Sequence, residues 1–158
     1  MSYAANTSVS VEQSRAEIER TLARYGADRF AYSTEPGRAV ILFQIQDTSE
    51  IILSIKMTLP MPAKGEERFT HRKRYSAQVE NPPEMVNKLW EQACRSSWRS
   101  LCLVIKAKLE ACACGISTVE REFLADVVLP DRRTVSEWLR PQFQQISDKG
   151  QMPKLLLT

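Results

Sequence analysis

From Pro83 to about Ala113 the chain contains no further proline and no glycine, and Leu89, Trp90, Ala93, Cys94, Trp98, Leu101, Ile105, Leu109 and Cys112 recur at helical spacing. This stretch predicts one long central helix with an apolar face. It constrains the rest of the fold, because the remaining segments must supply the surface that covers that face.

The segments before it read differently. Ser10-Val11-Glu12-Gln13 has the form of a capping box, and Ile18, Leu22 and Tyr25 follow at helical spacing until Gly26, so a first helix is predicted over roughly 11–25. Three β-rich runs come next, Arg29 to Ser33, Arg38 to Gln46 and Glu50 to Leu59, separated by turn chemistry at Pro36-Gly37 and Asp47-Thr48-Ser49. Alternation places Ala39, Ile41, Phe43 and Ile45 of the second run on one face, with Ile51, Leu53, Ile55, Met57 and Leu59 of the third. The other face starts apolar at Val40, Leu42 and Ile52 and turns polar through Gln44, Gln46, Ser54 and Lys56, which predicts partial exposure.

Residues 60–83 hold four prolines and one glycine without periodicity and read as a long basic loop. Beyond the long helix, Ser117-Thr118-Val119-Glu120 reads as a capping box for a short helix. Val127-Val128-Leu129 reads as a short extended piece, and Thr134-Val135-Ser136-Glu137 as the cap of a last helix that Pro141 kinks or interrupts. The expected fold is therefore α+β: an N-terminal helix, a three-stranded antiparallel sheet, the long helix and a helical C-terminal region. At 158 residues a single domain is expected. Its parts are helix plus sheet at 11–59, the basic loop at 60–83, the helical part at 84–147 and a tail at 148–158.

The first residues, MSYAANTSVSVEQ, have neither a basic n-region nor an apolar h-region, and no apolar run is long enough to span a bilayer, so a cytoplasmic location without a membrane partner is expected. Cys94, Cys102, Cys112 and Cys114 all fall on or beside the long helix, where thiols rarely meet in disulfide geometry; no second knuckle accompanies Cys112-Ala-Cys114, so reduced thiols and no metal are expected. Trp90, Trp98 and Trp138 sit in apolar helical rows and read as core anchors.

The net charge of +3 is mild, so any attraction for a polyanion must come from a local patch. Two patches stand out. RFTHRKRY, residues 68–75, combines Arg68, His71, Arg72, Lys73 and Arg74 with Phe69 and Tyr75. On the long helix, at about 100° per residue, Arg95, Arg99 and Lys106 fall within about 20° of Lys88, a row about 27 Å long. Trp98, Leu101, Cys94, Ile105 and Cys112 are expected on the opposite side.

Cations beside aromatic rings can track a nucleic-acid strand, with charges on phosphates and rings under bases. A solvated helix face, the norm for an amphipathic surface helix, explains the row more simply. Enzyme readings find little support: His71 is the only histidine, with no nucleophile or carboxylate partner nearby in sequence, and no phosphate-loop, dinucleotide or metalloprotease motif is present. No catalytic residue and no cofactor is assigned.

The segment VIKAKLEACACGISTVEREFLADVVLPDRRTVSEWLRPQ, the closing GQMPKLLLT and the early SRAEIERTLARYGADRF together resemble a family of small uncharacterised proteins encoded by bacteriophages and prophages. The chain departs from that family's pattern at Arg132-Arg133, where a glycine is usual in the turn, and in its cysteines. The resemblance implies a viral or mobile-element origin in a bacterial host cell and carries over no catalytic residues. Two functions are expected to compete, beside a third reading as a structural domain with no nucleic-acid role. One is a non-catalytic accessory protein binding nucleic acid, single-stranded DNA included, in replication or recombination. The other is a protein-binding effector that inhibits a host defence or regulatory protein. Self-association is open in either case.

Overall fold

The computed structural model describes residues 4–75 and 77–149. Helix α1, Val11–Arg24, opens on the capping box read from the sequence: Ser10 Oγ accepts from the Gln13 backbone N–H, and the Gln13 side chain accepts from the Ser10 N–H. It closes at Gly26, whose φ of 78° lies in the left-handed region where glycine meets no Cβ penalty. Strands β1, Asp28–Glu35, β2, Arg38–Gln46, and β3, Ile52–Pro60, form an antiparallel sheet in that order. The β1–β2 turn places Pro36 before Gly37 at φ 80°, as a type II turn requires.

Between β2 and β3 the register pairs Ala39 with Leu59, Ile41 with Met57, Phe43 with Ile55 and Ile45 with Leu53. This row joins Ile18 and Leu22 of α1 and Trp98, Leu101, Cys102, Ile105 and Leu109 of the long helix α3, Pro83–Ala113, in a single buried cluster. Burying each large apolar side chain contributes roughly 1.5–3 kcal/mol. Ser14, fully buried on the inner face of α1, is a small residue among these larger ones. Leu42 and Ile52 are exposed on the outer face while Val40 is buried. Ile51 does not join the inner row: it precedes β3 and is exposed, because the turn passes through Glu50 at φ 62° before pairing begins.

Residues 60–83 are not an irregular loop. They fold into a one-turn helix α2, Glu67–Thr70, and a hairpin of β4, His71–Arg74, with β5, Ala77–Glu80. The strands are only four residues each, β4 is polar on both faces and β5 offers only the exposed Ala77 and Val79, too short an alternation to mark a strand. The segment is anchored instead by buried Phe69, by Asn81 Nδ2 donating to the Phe69 carbonyl and by Trp90 Nε1 donating to the Pro62 carbonyl.

The short helix α4, Val119–Phe123, is capped by Thr118, whose hydroxyl accepts from the Arg121 N–H, one residue later than the expected Ser117. Its Phe123 meets Phe43 edge-on at 5.6 Å. Val127 and Val128 then run beside the free edge of β3, Val128 N–H donating to the Ser54 carbonyl at 2.8 Å. The next turn passes through Arg132 at φ 69°, a left-handed position that suits glycine better than arginine. Helix α5, Val135–Lys149, opens on a reciprocal Thr134–Glu137 box and continues through Pro141 without interruption. The tail assigned to 148–158 lies almost wholly outside the described residues. No helix among the described residues is long and apolar enough to cross a membrane.

Candidate nucleic-acid interface

The β4–β5 hairpin sets its cations by strand alternation. His71 pairs with Glu80 and Lys73 with Gln78, while Arg72 pairs with Val79 and Arg74 with Ala77. Gln78 Nε2 bonds to Glu67 Oε1, so the Lys73–Gln78 face turns toward α2 and the Arg72–Arg74 face turns away. The two arginines stand two residues apart, about 6.7 Å along the strand. Arg72, Lys73 and Arg74 are exposed, and among the described residues none of them forms an ion pair.

Tyr75 ends the row at the hairpin tip with 98% of its surface exposed and a backbone φ of 56°. A bulky side chain held left-handed costs on the order of 1 kcal/mol, and glycine or asparagine would fit the turn better.

Arg68 is placed differently from the other cations of its motif. It belongs to α2, pairs with Glu66 at 2.6 Å and lies over the Phe69 ring. His71 Nδ1 lies 2.9 Å from Thr70 Oγ1 at the base of the hairpin.

The helix row is only partly a free surface. The buried residues of α3 centre about 90° around the helix from Lys88, Arg95, Arg99 and Lys106, not opposite them, so the row borders the core and its middle lies against α1. Arg99 donates to the Glu17 carboxylate, Lys106 Nζ stands 3.7 Å from the same group, and Arg95 gives both Nε and Nη2 to Gln92 Oε1. The hydrogen bond from Arg99, with Lys106 nearby, holds the Glu17 carboxyl below the ordinary carboxylate range. Lys88, near the hairpin end of α3, is exposed and forms no ion pair among the described residues. The hairpin and the row therefore do not form one uniform stripe.

Of the three tryptophans only Trp98 is fully buried; Trp90 and Trp138 are half-buried. All four cysteines are free thiols, and no group of three or more His, Cys, Asp or Glu among the described residues could hold a metal ion.

One arrangement has no signature in the sequence. Arg15 sits in the corner made by two perpendicular rings, 4.4 Å from the Trp98 centroid and 4.8 Å from that of Tyr32. Its partners come from a strand and a helix far away in the chain, and no local spacing announces them.

Comparisons with protein-family models, with curated proteins and with solved structures find no match to this chain.

Proposed function

We propose that this protein is a non-catalytic accessory protein of phage or prophage origin that binds nucleic acid, single strands in preference to duplex, through the β4–β5 hairpin. The observation that carries the reading is the hairpin tip. Three consecutive cations without carboxylate partners among the described residues lead to an aromatic side chain that is almost wholly exposed and held in an unfavourable backbone conformation. Exposed aromatics are poor choices for a turn that needs φ > 0, so an outlier of this kind points toward recognition. Phosphates would meet Arg72 and Arg74 on one face of the hairpin, Lys73 would add charge from the other, and a base would stack on Tyr75. Because the strands are already paired, the backbone is ordered before any strand arrives, which reduces the entropy lost on binding. The non-catalytic reading is supported by the placement of the single histidine, which bonds to Thr70, a hydroxyl that also lies within bonding distance of the α2 backbone.

The test is binding of labelled single- and double-stranded DNA and RNA across a salt series. Arg72→Ala, Lys73→Ala and Arg74→Ala together should leave stability within about 0.5 kcal/mol. They should lower affinity for single strands and reduce the slope of log affinity against log salt by about two units. A parent protein that binds none of these at low salt would refute the reading. The rival reading, an effector that binds a host defence or regulatory protein, would then lead. It is favoured by Leu42 and Ile52 on the outer sheet face and Phe143 on α5, all large apolar side chains left exposed.

A further inference from the structure

Where α1, the end of β1 and the first half of α3 meet, they leave a cleft of about 370 Å³, within the range of small-ligand sites. Its charges are sorted by depth. Arg15 and Arg95, half-buried, line the cleft; Glu12 and Glu91, exposed, stand at its rim. Neither arginine forms an ion pair among the described residues.

Arg15 is held by ring faces rather than by acceptors. It lies against Tyr32 and Trp98, gives one long hydrogen bond of 3.4 Å to Thr34 Oγ1, and leaves its buried Nε–H without an acceptor. The indole N–H of Trp98, a side chain that lines the same cleft and is 1% exposed, also has no acceptor. Both of these donor atoms are closed to solvent, so what the cleft offers a ligand is the outer guanidinium nitrogens of Arg15 together with Arg95. Apart from Ser10, the rest of the wall, Val11, Met61, Trp90 and Cys94, is apolar.

We infer that this cleft binds a small monocarboxylate with an apolar or aromatic body. The carboxylate would take the outer N–H groups of Arg15, end-on to the guanidinium, with Arg95 adding charge. The body would lie against Met61, Trp90 and Cys94. The rim carboxylates disfavour a dianion and a phosphodiester chain, so this site is distinct from the hairpin and does not depend on the nucleic-acid reading.

The experiment titrates the purified protein with sodium benzoate, its neutral isostere benzamide, and inorganic phosphate, following tryptophan fluorescence and heat. Benzoate should bind saturably with a dissociation constant below about 1 mM, benzamide at least about tenfold more weakly, and phosphate no better than benzamide. Arg95→Gln, which removes one of the two cleft cations without touching the Arg15–Tyr32–Trp98 contact, should weaken benzoate about tenfold with the fold intact by circular dichroism. The triple hairpin variant should bind benzoate as the parent does. Equal affinity for benzoate and benzamide would overturn the charge recognition, equal affinity for phosphate would overturn the apolar body, and no saturable benzoate binding would overturn the site.

Discussion

The Glu17 carboxylate of α1 accepts a hydrogen bond from Arg99 of α3 and stands 3.7 Å from Lys106 of the same helix. One acidic side chain thus opposes two of the four cations in the helix row and ties the first helix to the long one. Replacing Glu17 by Gln should cost roughly 1 kcal/mol in urea denaturation, since the group is only partly buried. It should also lengthen retention on heparin, because two cations lose their opposing charge. Unchanged stability together with unchanged retention would mean that the pair contributes nothing in solution.

The same carboxylate gives a pH dependence of definite sign. Its pKa is lowered in the folded protein by the Arg99 hydrogen bond, so the stability it contributes is fully present above the unfolded carboxylate value of about 4.3 and is lost as pH falls through the lower folded value. The parent should lose stability in that acid window more steeply than Glu17→Gln. The difference between the two denaturation curves should vanish at the acid end, and a difference that stays constant from neutral pH downward would show that the pair is not the cause.

Tyr75 should separate folding from binding. Because it is exposed with φ 56°, Tyr75→Gly removes backbone strain and no packing, so the melting temperature should hold or rise slightly. If a base stacks on the ring, affinity for single strands should fall by about 1–3 kcal/mol, while duplex binding changes less. A glycine variant that binds single strands as tightly as the parent would remove the stacking role and leave only the cations.

The thiols offer a check on the packing of α3. Cys94 and Cys102 are buried, and burial pushes both thiols, and that of half-buried Cys112, above their ordinary pKa; Cys114 is exposed beyond the helix end. Under native conditions near pH 8 a thiol reagent should label Cys114 first, Cys112 and the cleft-lining Cys94 more slowly, and Cys102 only on the timescale of unfolding. All four should react in denaturant. Labelling of Cys102 as fast as Cys114 would contradict the buried face assigned to the long helix.

Local sequence determined the elements whose signals are local. The capping residues Ser10 and Thr134, the stop at Gly26, the alternating row from Ala39 to Ile45 and the unbroken run of α3 are each specified by a few neighbouring residues, and each forms where its pattern lies. The β4–β5 hairpin was hidden because its strands are short, with only Ala77 and Val79 apolar, and are anchored by Phe69 and Asn81 rather than by buried side chains of their own. The helix row shows the other limit. Spacing alone places Lys88, Arg95, Arg99 and Lys106 on one line, but only the packing of α1 against α3 brings Glu17 to Arg99 and Lys106 and leaves Lys88 outside that pairing. Likewise Arg15 carries no motif; its place against Tyr32 and Trp98 exists only once α1, β1 and α3 have closed on one another. Hydrogen bonding and periodicity act over a few residues and can be read along the chain, whereas the partner of a charge is whatever the folded core brings within a few ångströms of it.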